Sequence, residues 1–124
     1  MMKLFFLMVL CHIIDDFVLQ QACHSKLKQK EFWEQFNDWY GLYKNDYIMA
    51  LFIHALSWAI MIHVPIMFMV DFSNVGLFAS IIINMLIHAA IDNAKANKGT
   101  INLVADQTLH LTQIIITYLC FTTL

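Results

Sequence analysis

Residues 47–70 read YIMALFIHALSWAIMIHVPIMFMV, a run of 24 residues with no aspartate, glutamate, lysine or arginine. A helix of this length crosses the hydrocarbon core of a bilayer, which needs about 20 consecutive apolar residues. The run holds two histidines, His54 and His63. Ionisable side chains at membrane depth are costly, so they face a bundle interior, find partners and mark function.

Working outward, three further stretches have the same character. Lys3 to Gln21 forms a first span. Asp71-Phe72-Ser73-Asn74 makes a short polar turn into a third segment over 75–92, the shortest of the set. The stretch 93–100, with Lys95, Lys98 and Gly99, reads as a helix end and connection, and 101–123 forms a fourth span. The chain has 124 residues, 60% hydrophobic and only 13% charged, which is one small domain outside the range of soluble proteins. Three glycines and one proline leave little material for hairpins. These features predict an all-α integral membrane fold: a single membrane domain over 1–124, built as a four-transmembrane-helix bundle with spans at approximately 3–21, 47–70, 75–92 and 101–123.

Residues 23–46 differ from the spans. Phe32, Phe36, Tyr40, Tyr43 and Tyr47 recur at helical spacing beside Trp33 and Trp39, and Lys26, Lys28, Lys30, Glu31, Glu34 and Asp38 fill other positions. An aromatic and charged segment between two spans predicts an amphipathic helix lying in the interface, either roofing the bundle or serving as a plain anchor.

The N-terminal run resembles a signal peptide only superficially. Asp15 and Asp16 sit where a cleavage region is small and uncharged, and no A-x-A-like site follows, so the segment reads as a retained first span. Cys11, Cys23 and Cys120 have no useful spacing and read as packing residues. A net charge of −2 offers nothing to nucleic acid. Lys26, Lys28, Lys30, Lys44, Lys95 and Lys98 all fall in the first and third connections, against Lys3 alone on the other side. The positive-inside rule puts both long connections in the cytoplasm and both termini outside.

The polar residues then fall at one depth. His12, Asp15, Asp16 and Gln20 stand near the end of the first span, His54 near the start of the second, His88 and Asp92 at the end of the third, and Asp106, Gln107 and His110 at the start of the fourth. Residues four apart share a helix face, which pairs His12 with Asp16, His88 with Asp92, and Asp106 with His110. Asn84 and Lys95 extend the third face; Gln113 and Thr117 extend the fourth. Asp16 reads as a ligand and Asp15 as its outward-turned neighbour, with their order of importance open. His24 and His63 read as structural.

Histidines and carboxylates from facing helices are the ligand set of zinc, manganese or iron. The metal set predicted here is His12, Asp16, His54, His88, Asp92, Asp106 and His110, enough for one supported ion or for two ions sharing a carboxylate. Asp16, Asp106 and Lys95 are the candidate catalytic groups, and Gln20, Gln107 and Lys95 the candidate substrate-orienting ones. An ion at such a site activates water and polarises a phosphoryl or carbonyl oxygen, and a free aspartate serves as general base. The competing reading is structural: His–Asp pairs neutralise each other and clamp the helices. A transmembrane ion or proton relay is disfavoured, because only His63 and Asp71 stand in the outer half.

The run His12-x-x-x-Asp16-Phe17-x-Leu19-Gln20, then His54, His88-x-x-x-Asp92-x-x-Lys95 and Asp106-Gln107-x-x-His110, resembles a family of small integral membrane proteins of phages and bacteria catalogued as a domain of unknown function. The resemblance covers nearly the whole chain and makes those positions its signature. More loosely, the layout is similar to inner-membrane proteins labelled as predicted metal-dependent hydrolases, by analogy only. What the resemblance and the residues together imply is a membrane-embedded metal-dependent hydrolase of the bacterial inner membrane, or of the host inner membrane for a phage product. Its substrate would be a lipid or lipid-linked phosphate or ester at the cytoplasmic leaflet. The alternative is a non-enzymatic membrane factor, for example one that excludes a competing phage. A second copy of the chain and a host membrane protein remain open as partners.

Overall fold

A computed structural model of the protein describes residues 1–20, 22–36 and 41–123, with the side chains of residues 22–24 not among those described. Gln21, Asp38, Trp39 and Tyr40, and the side chains of Cys23 and His24, thus lie outside the described residues. Every described element is a helix: α1 (Met2–Ile13), continued by a π-helical stretch (Ile14–Leu19), then α2 (Ala22–Leu27), α3 (Lys30–Glu34), α4 (Asp46–Met69), α5 (Asn74–Ala96) and α6 (Leu103–Thr123).

The four long elements pack as a ring in the order α1–α4–α5–α6 and back to α1. Local signals set their ends. The Ser73 hydroxyl accepts the Gly76 amide at 3.0 Å, capping α5, and the Asn102 side chain accepts the Ala105 amide at 2.9 Å at the start of α6. Past the end of α5, the Lys98 amide reaches back to the Asn93 carbonyl at 3.2 Å, and Gly99 takes a φ of 60° that disfavours a side chain.

Two corrections to the sequence reading concern lengths. The third segment extends four residues beyond its expected end, to Ala96, so it is a helix of 23 residues. It and α4 are the two described helices long and apolar enough to cross a membrane. The segment after the first span is two short helices, α2 and α3, in place of one continuous amphipathic helix. They are latched to the end of α5 by Asn97, whose side chain donates to the Lys28 carbonyl at 3.0 Å and accepts the Lys30 amide at 2.7 Å.

The bundle interior has two halves. One is apolar: Leu4, Met8, Trp58, Ala59, Ile62, Ile66, Leu77, Ile81 and Ile114 form a single buried cluster. The other holds buried His12, Asp15, His88, Asp92, Asp106 and His110. Outside, the helices present many large apolar side chains, with Phe68 and Phe78 85% and 67% exposed.

Candidate metal centre

The π-helical stretch decides how the first helix contributes. The Gln20 amide bonds the Asp15 carbonyl at 2.9 Å, a reach of five residues in place of four, which widens the turn. Both neighbouring carboxylates consequently face the bundle. Asp15 is buried, contrary to the outward orientation expected for it. Its Oδ1 accepts the Ser57 hydroxyl at 2.7 Å, and its Oδ2 lies 3.7 Å from His54 Nδ1.

His54 thus has Asp15 behind it and presents Nε2 to the interior. That nitrogen lies 3.1 Å from His88 Nε2, 3.5 Å from Asp16 Oδ1 and 3.4 Å from Asp92 Oδ2. On the far side of Asp92, its Oδ1 lies 3.5 Å from His110 Nε2 and 3.8 Å from His88 Nε2. His110 Nε2 is also 3.4 Å from Asp106 Oδ1. Six of the seven residues expected to ligate metal therefore meet through these atoms. Asp92 stands between two halves of the cluster with one oxygen toward each.

Among the described residues, two groups of three could hold a metal ion: Asp16, His54 and His88, and His88, Asp92 and His110. Most of the separations above exceed hydrogen-bond length. They match the spacing of about 3.4 Å between ligands of a tetrahedral ion bound at about 2.1 Å. Asp16 Oδ1, Asp106 Oδ1 and His110 Nε2 are buried without a hydrogen-bond partner. Orphaned buried polar atoms are costly, and these sit at the cluster together with Asp15 Oδ2, His88 Nδ1 and His110 Nδ1, which are also unpartnered. The donor set fits a divalent ion.

His12 belongs to neither group. Its Nδ1 takes the Trp58 indole N–H at 2.8 Å. Indole nitrogen only donates, so Nδ1 is the acceptor and the proton of the neutral ring sits on Nε2. Trp58 also stacks on His88 with ring centroids 4.2 Å apart, and His88 stacks on His110 at 4.1 Å, which fixes the imidazole planes.

Two lysines enter the cluster. Lys95 bonds Asp106 Oδ2 at 2.6 Å, and Gln107 donates to the same oxygen at 3.1 Å and to Asp16 Oδ2 at 3.4 Å. Lys28, from the turn between α2 and α3, is buried on Asp92 Oδ2. With its amide oriented to suit both neighbours, Gln20 donates to the Asp16 carbonyl at 3.2 Å and accepts from Lys28. Four carboxylates (Asp15, Asp16, Asp92, Asp106) meet two ammonium groups, which leaves two of the carboxylates facing histidines alone. A divalent cation is one way to balance them, and buried charge demands some such balance.

Sequence reasoning missed Lys28, Ser57 and Trp58. Ser57 and Trp58 follow His54 by three and four residues, so their shared face was readable. Lys28 carried no comparable signal, because a turn and not a helical register delivers it. The expected extension of the third and fourth faces is present: Asn84 donates to Thr117 Oγ1 at 3.0 Å, and Gln113 donates to the Asn84 carbonyl at 2.7 Å. His63, read as structural and alone, bonds the Ala59 carbonyl and Ser80 Oγ, both at 2.7 Å.

The chain belongs to the family described as protein of unknown function (DUF3307), whose model matches residues 4–124. Searches of the curated proteins and of the solved structures found no match.

Proposed function

We propose that this protein is a membrane-embedded, metal-dependent hydrolase acting on a lipid or lipid-linked phosphate or ester at the cytoplasmic leaflet. The observation that carries the reading is the set of unpartnered buried atoms, Asp16 Oδ1, Asp106 Oδ1 and His110 Nε2, gathered with His54 and His88 from separate helices. Asp16, His54, His88, Asp92 and His110 would hold one or two ions. A divalent ion supplies Lewis-acid polarisation and a water that ionises near neutral pH.

The remaining residues have distinct tasks. Asp106 is the candidate general base, held by Lys95 and Gln107. Lys95 is partly exposed, so its ammonium can leave Asp106 for a substrate phosphate. Gln20 and Gln107 orient the substrate, and Asp15 positions His54. His12 leaves the expected ligand set, because Trp58 occupies its Nδ1 lone pair.

Four spans in the bacterial inner membrane, with the polar half toward the cytoplasm, complete the reading. It is supported by the two span-length apolar helices and the apolar outer surface. It also agrees with the lysines of the first and third connections. The alternative, a non-enzymatic membrane factor whose cluster clamps the bundle, is supported by Lys28 and Lys95 seated on Asp92 and Asp106. Release of inorganic phosphate or fatty acid from inner-membrane lipid extracts separates the two. The hydrolase reading expects metal-dependent turnover that Asp106→Asn abolishes. Function that survives alanine at Asp16, His88 and Asp106 together establishes the alternative.

A further inference from the structure

A cleft of about 580 Å³ runs along one face of α4, within the range of about 300–1,000 Å³ typical of small-molecule sites. Asp46, Met49, Ala50, Ile53, His54 and Ser57 line it at three- and four-residue spacing. Leu19 of the π-helical stretch, Leu27 of α2 and Trp33 of α3 form the facing wall. The wall is thus mainly apolar, and Asp15, Gln20, Asp46, His54 and Ser57 supply polar groups to it. His54 is common to this cleft and to the Asp16–His54–His88 group.

We propose that this cleft seats a single hydrocarbon chain of a membrane lipid and brings the polar end of that lipid to His54. The substrate class is then a lipid gripped by one chain, recognised through its hydrocarbon. The inference rests on the hydrolase reading for the fate of the lipid, but its binding step stands apart from it. Three of the lining residues, Leu19, Met49 and Ile53, are 53%, 63% and 62% exposed. The cleft therefore shares its lining with the apolar outer surface of a span-length helix, which is open to acyl chains and repels water-borne polar ligands. A chain among Leu19, Leu27, Met49 and Ile53 removes apolar surface from its surroundings. Gln20, whose amide keeps a second N–H beyond the one on the Asp16 carbonyl, meanwhile offers a hydrogen bond to a headgroup oxygen. Aspartates beside the histidine favour a polar end that arrives together with a cation.

The test uses the full-length protein in phosphatidylglycerol vesicles doped with a diazirine-bearing palmitoyl lipid, with photo-crosslinks mapped by mass spectrometry. Crosslinks are expected to concentrate on Leu19, Met49 and Ile53. In Ala50→Trp, whose ring fills the cleft, they drop at least about fivefold relative to those on the outward residue Phe78. Ala50→Leu, a smaller obstruction, gives an intermediate drop if the larger variant does not fold. Equal labelling of the cleft and Phe78, unchanged by either variant, overturns the proposal. Metal content measured on the same samples separates the two claims. Cleft labelling without bound metal leaves the lipid site standing and sinks the hydrolase reading, whereas metal without cleft labelling does the reverse.

Discussion

Trp58 Nε1 donates to His12 Nδ1 at 2.8 Å, and this one bond sets the tautomer of a histidine that helical spacing alone groups with the metal ligands. Histidine at a polar helix face and histidine with a free lone pair are different things. The second depends on which nitrogen a neighbour has claimed.

His12→Ala is therefore expected to keep the wild-type metal content while losing stability. It strands the Trp58 N–H in a buried site, at a cost of about 1–3 kcal/mol before any cavity is counted. Elemental analysis and thermal unfolding of detergent-purified protein check both halves. Loss of metal at unchanged stability would place His12 back among the ligands.

Asp15 acts on His54 from behind, at 3.7 Å from Nδ1 and anchored by Ser57. Removing a carboxylate that orients a ligand histidine costs metal affinity about 10- to 100-fold. Asp15→Asn is expected to weaken binding by that amount, with a smaller loss in Ser57→Ala, as read by competition with a chelating dye. Affinity untouched in Asp15→Asn contradicts the positioning role.

Lys28 sits on Asp92, where a cation has to bind. A unit charge at 4 Å exerts roughly 4 kcal/mol at an effective dielectric of 20, so the ammonium opposes metal entry. Lys28→Met is expected to tighten divalent-ion binding at least about tenfold and to widen the gap in melting temperature between loaded and stripped protein. Weaker binding in this variant would show that Lys28 supports the ion and does not compete with it.

Sidedness has its own test. In a background with Cys11, Cys23 and Cys120 changed to serine, Asn74→Cys is expected to react with a membrane-impermeant maleimide in intact cells. Lys98→Cys should react only after permeabilisation. Labelling of both from the same side removes the proposed topology.

Much of this architecture could be read in the chain. The i,i+4 pairs His88–Asp92 and Asp106–His110 survive as partners at 3.8 and 3.4 Å, and helical periodicity predicts both. What resisted reading has physical causes. The π-helical stretch turns Asp15 inward, and its five-residue bonding leaves no trace in a 3.6-residue pattern. Lys28 arrives from a turn whose path depends on Asn97, a residue remote in sequence. The length of α5 was underestimated because Asp92 and Lys95 look like a polar end, whereas both are engaged in ion pairs.

The most direct test of the metal centre is elemental analysis of the purified wild-type protein beside Asp92→Asn. One or two equivalents of a divalent ion are expected in the wild type, and less than about a tenth of that in the variant, because Asp92 faces both halves of the cluster. A wild-type protein with no stoichiometric ion after incubation with zinc, manganese or iron, or an Asp92→Asn variant that retains the full complement, contradicts this.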